Sequence, residues 1–569
     1  MFPPDQQPTR AQQEAAYPPL ELPDNLRIAF IHPDLGLGGA ERLVVDAALA
    51  LKKRGHEVEI FTSYHEDGKN GRSFEETRNG SLSVHVLGDS IFPRSFLGSF
   101  TIVCAILRQL HLTAQFLLAC LLFHLSSTYF FRAFILPLDI PYISSADWSI
   151  RRQLEPFDVI VIDQLSTAIP FLRWFGFNRI VFYCHFPDLL LAPGSNFVPD
   201  PRGPRGFSIK GEITALYRIP IDATEQSTTG EADKILVNSD FTSQVFQNTF
   251  RQLGRIPRTV YPAVDPEVYE KKVDAKVEDK WLVSDTPTLL SINRFEGKKN
   301  VGLAVEAFAK VRSEHPKLRL IVAGGFDSRL PDNVITLANL QKLAAKHNLS
   351  QYTYSSSPLS TMTASISPRN RPTVSDKAPS AEDFPQILFL LNMTSHQKSY
   401  LLSAESNIAL LYTPMYEHFG IVPLEAMASG LPVIATTSGG PTETIVDNGL
   451  SFPSESTLSS DSIKTTTTGL LRPAKVAPWT EAISSLLSLS TSQRAAIGQA
   501  GRERVKNVFS REKLGESLEK ACIDAASIGL PIPYENGFKK MCAFILIGSI
   551  CFTCGIVAFG VGEYYAWQK

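Results

Sequence analysis

Two Rossmann-like, doubly wound α/β domains followed by a transmembrane helix are the fold class this sequence predicts, and three observations carry the prediction. A strand, a glycine-rich turn and a helix open the first folded stretch, and the same order of elements restarts near residue 288. The strand candidates in both stretches are unbroken apolar, β-branched runs, the pattern of parallel strands covered on both faces. Near the end of the chain, 22 positions from Met541 to Gly562 carry no charge.

Residues 1–23 are rich in Pro and Gln and lack a basic region followed by an apolar core, so they predict a disordered tail rather than a cleaved signal peptide. Arg27-Ile-Ala-Phe-Ile31 then reads as a strand, Glu41 to about Arg54 as a helix ended by Gly55, and Val58-Glu-Ile-Phe61 as the next strand. Further strands are expected at 159–162, 180–183 and 235–237, completing a domain over 24–270. A charged stretch, Lys271 to Lys280, separates it from a second domain over 281–500. That domain starts with the strand Thr288-Leu-Leu-Ser-Ile292, continues with a helix over 301–311, and has later strands at 318–322, 387–390, 408–411 and 432–435. Residues 355–379 and 454–468 are rich in Ser, Thr and Pro and read as disordered surface insertions that cannot bury a core. Residues 501–537 are expected to form a helical crossover.

Composition narrows the function classes. With 569 residues, 20% charged and 44% hydrophobic, the chain suits two folded domains. Its 55 Lys and Arg nearly balance 57 Asp and Glu, so no field of one sign points to nucleic acid. Seven dispersed cysteines make a poor disulfide framework and read as free thiols of a reducing compartment.

At 1.5 Å per residue the segment 541–562 would span about 33 Å as a helix, enough for a bilayer core. Lys539 and Lys540 before it favour the cytoplasmic side for the globular body. A weaker apolar region, 96–138, is interrupted by Arg108, Gln109, His111 and Arg132, and is expected to lie in the membrane interface as a helical hairpin, with a true span or plain core helices as the alternatives.

The strongest chemical signal is Tyr416-Glu-His-Phe-Gly-Ile-Val-Pro-Leu-Glu-Ala-Met-Ala-Ser-Gly430. Pro423 suits the first position of a helix and Gly430 the residue past its end, which would place Glu425 in the first turn and Glu417 in the loop before it. Phe419, Gly420, Ile421 and Val422 would present backbone N–H groups to a diphosphate at the helix N-terminus. Glu417 and Glu425 are better suited to sugar hydroxyls than to phosphate, although Glu425 alone could equally complement the helix dipole. In Asn293-Arg-Phe-Glu-Gly-Lys-Lys-Asn300, between a strand and a helix, Arg294, Lys298 and Lys299 supply permanent positive charge for a leaving diphosphate. Gly439 and Gly440, in a second glycine-rich turn, could wrap the phosphates from the other side. No acidic triplet flanks a donor-domain strand, so no metal site is evident, and no cofactor is implied.

Glu417 and Glu425, with seven residues between them, resemble the E-x7-E motif of retaining GT-B glycosyltransferases. The resemblance implies two Rossmann-like domains facing a cleft, with Glu417 on the transferred sugar, Glu425 on the nucleotide ribose, and Arg294 and Lys299 as the cationic pair. It also places Gly38 and Gly39, in Gly36-Leu-Gly-Gly-Ala-Glu-Arg42, on a loop facing the cleft. His185, in Tyr183-Cys-His-Phe-Pro-Asp188, takes the position of a family histidine near the reacting centre. Together these motifs are similar to those of the eukaryotic dolichol-linked-oligosaccharide α1,3/α1,6-mannosyltransferases. That likeness implies GDP-mannose as donor substrate, a Man1GlcNAc2-diphosphodolichol acceptor and the cytosolic face of the endoplasmic reticulum membrane. It also leaves room for a complex with other mannosyltransferases of the pathway.

Two rivals are weaker. A nicotinamide-dependent oxidoreductase calls for G-x-G-x-x-G, which the first glycine turn lacks. A noncatalytic scaffold would be expected to have lost some charged cleft residues, yet Glu417, Glu425, Arg294 and Lys299 are all present.

Overall fold

The computed structural model describes residues 22–36, 38–66, 73–88, 91–93, 101–127, 157–175, 177, 179–191, 221–357, 359, 371–380, 384–450 and 465–528. The expected transmembrane helix 541–562 and the insertion 454–464 lie outside them, as does all but the end of the tail.

In the first domain, β1 (Arg27–His32) leads into α1 (Gly39–Lys53) and returns as β2 (Glu57–Thr62) beside β3 (Ser83–Val86). Helix α2 (Thr101–Ser127) precedes β4 (Val159–Asp163) and β5 (Ile180–Cys184). After these come β6 (Lys234–Val237), α3 (Asp240–Thr249) and the short β7 (Arg258–Thr259). The seven strands are ordered β3-β2-β1-β4-β5-β6-β7, and every pairing is parallel. Both faces are covered, which explains the unbroken apolar runs. Ile28, Phe30 and Val159 pack under α1, while Ala29, Ile31, Ile160 and Phe182 meet Phe116 of α2 and Phe246 of α3.

The second domain repeats the plan. It runs β8 (Thr288–Ile292), α4 (Gly302–Arg312), β9 (Arg319–Gly324), α5 (Pro331–Lys346), β10 (Gln351–Ser355), β11 (Ile387–Leu391) and α6 (Ser395–Ser403). It continues with β12 (Asn407–Tyr412), α7 (Ile421–Ala428), β13 (Val433–Thr436), β14 (Gly469–Arg472), α8 (Val476–Ser488) and α9 (Thr491–Val508). The strand order is β10-β11-β9-β8-β12-β13-β14, again all parallel. Phe308, Leu337, Phe389 and Trp479 fill one face; Leu290, Leu401, Leu424 and Val505 fill the other.

In each sheet the order of connection reverses once, between β1 and β4 in the first and between β8 and β12 in the second. At such a reversal the loops at the strand C-termini diverge and leave a crevice for ligands.

The last described helix, α10 (Arg511–Ala526), leaves the second domain and completes the first. Its Leu514, Leu518, Ala521, Cys522 and Ala525 join the core beneath α1. A Cβ on Gly515 would press on Ala50, so the missing side chain sets the close approach of the two helices. Arg511 reaches Asp46 at 3.0 Å, and Glu519 accepts from Arg54 at 2.6 Å and pairs with His56 at 3.0 Å.

Two expectations meet the described residues here, the second only in part, since 96–100 and 128–138 of the expected hairpin lie outside them. The polar segment 355–379 is held by the domain where it is described: Val374 packs against the core, Ser375 bridges Tyr354, and Gln341 pairs with Thr373. Composition understated it because this edge is tied by hydroxyl and amide bonds rather than by apolar burial. Helix α2 is long and apolar enough over Thr101–Cys120 to cross a membrane, but its polar residues face the domain. Arg108 grips Asp34 through two bonds of 2.6 and 2.9 Å, and Gln109, fully buried, bonds Leu165 and Thr167. Leu118 on the same helix is exposed.

Candidate active site

The turn after β8 is a single 3-10 turn, Gly297–Lys299, closed by Asn300 in the left-handed conformation at φ 50°. The Lys299 carbonyl accepts from Thr413 at 2.7 Å, binding this turn to the end of β12. That junction is the chain reversal of the second sheet. Here Lys299 Nζ donates to Glu417 Oε2 at 2.6 Å, and both side chains are mostly buried. Burial pushes the Glu417 carboxyl up, but Lys299, with Lys298 adding to it, outweighs it and holds the group below the ordinary carboxylate range. Arg294 and Lys298 stay largely exposed beside Glu296, at 3.8 and 3.2 Å, with their charge free to turn toward an anion.

The loop carrying Glu417 is bent by backbone that few residues tolerate: Tyr416 has φ 53° and Gly420 φ 87°. Gly439, at φ 70°, and Gly440 are pressed against it. A Cβ on Gly439 would overlap the Glu417 carbonyl, and one on Gly440 the Phe419 backbone. Gly440 N–H donates to the Glu417 carbonyl at 2.8 Å, so that donor supports the loop instead of being offered to phosphate. The phenyl ring of Phe419 is buried against Tyr261 and Phe509.

Helix α7 starts at Ile421 with Gly420 as its N-cap, two residues earlier than Pro423 suggests, and no acidic residue lies in its first turn. Pro tolerates any of the first few helical positions because none of their N–H groups has an intrahelical partner. Glu425 therefore sits in the second turn. It is 7% exposed and accepts from Lys398 at 2.6 Å and Tyr269 at 2.9 Å. Gly430, at φ 78°, ends the helix as expected.

The first domain presents its own chain reversal to this site. His185 follows β5, and its Nε2 lies 2.8 Å from Asp163 at the end of β4. Phe186 stacks on His418 with centroids 3.8 Å apart and planes 4° from parallel. Ser239 donates to the His418 carbonyl at 2.6 Å. Burial drives the His418 imidazole down to about 4, although Glu417 opposes this, so it is neutral near pH 7. Glu443 of the second domain accepts from the Asp240 and Phe241 N–H groups at the start of α3. Gly38 is the extended N-cap of α1, and Gly39 opens that helix in free space. Lys299 and Glu417 on the second sheet and His185 on the first thus lie at edges joined by the Phe186–His418 stack and the Ser239 bond.

The second domain matches the family described as glycosyl transferases group 1 over residues 274–364 and 373–504. The chain is 37% identical over 511 residues to the alpha-1,3/1,6-mannosyltransferase ALG2 of Rhizomucor pusillus, covering 88% of this chain and 92% of the relative. To the Saccharomyces cerevisiae protein of the same name it is 38% identical over 499 residues, covering 87% and 84%. The chain belongs to the α-1,3/1,6-mannosyltransferase family. Among solved structures, this mannosyltransferase resembles sucrose-phosphate synthase from Thermosynechococcus elongatus at a TM-score of 0.54, with 17% identity over 87% of this chain and 98% of that one. It also resembles the catalytic domain of starch synthase IV from Arabidopsis thaliana at 0.53, with 13% identity over 88% and 100%. Both likenesses support the GT-B fold.

Sequence reasoning missed several groups in this mannosyltransferase's cleft. His418, next to Glu417, carried a signal in its position between the two motif residues, since a histidine there faces whatever meets the loop. Asp163, at the end of a buried strand, was visible as a charge closing an apolar run. Lys398, His32 and Glu443 became apparent only through the tertiary contacts that aim them.

Proposed function

We propose that the enzyme transfers mannose from GDP-mannose, with retention, to Man1GlcNAc2-diphosphodolichol, forming α1,3 and α1,6 linkages on the cytosolic face of the endoplasmic reticulum membrane. The observation that carries the site assignment is the Lys299–Glu417 pair at the reversal of the second sheet, opposite His185. Transfer breaks the bond from the mannose anomeric carbon to the β-phosphate oxygen, and the electron pair leaves with the diphosphate. Lys299 and the exposed Arg294 and Lys298 counter that charge. The acceptor hydroxyl forms the new bond on the face the diphosphate leaves, and its proton passes to a phosphate oxygen. Glu417, kept ionised by Lys299, accepts hydrogen bonds from mannose hydroxyls, while Glu425 serves the ribose. Neither is read as a glycosidase-type nucleophile: Lys299 pairs with Glu417, Lys398 and Tyr269 with Glu425, and the partners proposed for them in the complex are hydroxyls of the donor. The apolar helix Thr101–Cys120 and the segment 541–562 support a lipid-linked acceptor.

The test is transfer by the full chain in reconstituted vesicles, with the Man1 acceptor and either GDP-mannose or UDP-glucose. Two mannose additions from GDP-mannose are expected. Transfer from UDP-glucose alone would overturn the donor assignment.

A further inference from the structure

Beyond the cationic pair, the cleft contains a three-membered array that no motif announces. Asp163 closes β4, buried at 2% exposure, and its two oxygens are used separately. Oδ1 lies 2.8 Å from Nε2 of His185, and Oδ2 lies 2.8 Å from Nδ1 of His32, the last residue of β1. β1 and β4 are the two strands flanking the chain reversal of the first sheet, and His185 follows the neighbouring β5. An ionised carboxylate can only accept, so each ring nitrogen facing it must carry hydrogen. His185 is then protonated on Nε2, and in its neutral form Nδ1 is a lone-pair acceptor. His32 is fully buried, and its Nε2 has no hydrogen-bond partner.

We propose that Asp163 and His32 are positioning residues that fix the tautomer and orientation of His185, so that its Nδ1 accepts from a hydroxyl of the bound sugar or acceptor. This rests on the assignment of His185 to the reacting centre. The charges agree with the geometry. Burial raises the Asp163 carboxyl, but His185 and His32 together bring it down to about 2, so it is ionised. Burial likewise disfavours charge on His32, yet Asp163, with Glu41 adding to it, raises its affinity for protons. Asp34, the remaining acidic neighbour, is taken up by Arg108.

The test compares Asp163→Asn, His32→Gln and His185→Ala in the vesicle-reconstituted full chain. An amide at 163 donates as well as accepts, so it admits the other His185 tautomer. Asp163→Asn is expected to lower kcat about 10- to 100-fold with the KM for GDP-mannose changed less than threefold, and His32→Gln to have a smaller effect of the same kind. Nitrogen-15 histidine spectra should show His185 protonated at Nε2 in the parent enzyme and shifted toward Nδ1 in Asp163→Asn. If Asp163→Asn does not fold, His32→Gln and the parent spectrum decide alone. An inactive His185→Ala beside wild-type kcat in the other variants, or a parent His185 protonated only at Nδ1, overturns the positioning role. A fully active His185→Ala instead overturns the assignment of His185 itself.

Discussion

Single side chains set the electrostatics of the cleft. His418 is held neutral by burial against Phe186, with a pKa of about 4 against an ordinary 6.5. Below pH 6.5 the unfolded chain gains a proton there that the folded chain refuses until about pH 4. Stability should therefore fall as pH drops through that window, and His418→Phe, which keeps the stack, should flatten the fall in denaturant midpoints measured from pH 7 to pH 4. Lys398 neutralises Glu425, which is almost fully buried. Removing one member of such a pair leaves an uncompensated charge, so Lys398→Met should cost about 3 kcal/mol in urea unfolding. It should also raise the KM for the nucleotide sugar, and Lys398→Arg should restore most of both. The pairing partners of these residues were beyond sequence reading, because Lys398 and Tyr269 lie 27 and 156 positions from Glu425. Glu417, Lys299 and His185 were legible because each occupies a short motif after a strand.

At the scale of elements, two glycine-rich turns lock one loop. The 416–420 loop can hold Glu417 over Lys299 only because Gly439 and Gly440 let the second turn lie against its backbone. Gly439→Ala introduces a Cβ both at φ 70° and into the Glu417 carbonyl. It should cost about 1–3 kcal/mol in stability. Displacement of Glu417 should lower kcat/KM more than tenfold, whereas a Gly39→Ala control, with open space around it, should fold normally. The inner strands were legible, since continuous β-branched runs have few other uses, whereas the four edge strands β3, β7, β10 and β14 were not, because they are short or polar. The start of α7 was not, because Pro423 is acceptable at several first-turn positions and Gly420, the actual cap, also reads as a phosphate-approach glycine.

For the whole molecule, the two domains are joined by more than a linker. Helix α10 carries Leu514, Leu518 and Cys522 back into the first domain's core, and Glu443 caps α3 from across the cleft. Ending the chain after Phe509 should expose that core beneath α1 and give insoluble protein, measured as the soluble or detergent-extractable fraction. Two such domains were predictable from the repeated βαβ order. The helix that returns to the first was legible only as a crossover, because its partner surface is far away in sequence: Arg511 and Asp46, which meet there, are 465 positions apart. The central claim is that sugar transfer occurs where Lys299 meets Glu417. The most direct measurement is kcat/KM for mannose transfer from GDP-mannose by the parent, Glu417→Gln and Lys299→Met enzymes in the same vesicles. A fall of about 100-fold or more in both variants, with folding retained, is the predicted result. Parent-level transfer by both would contradict it.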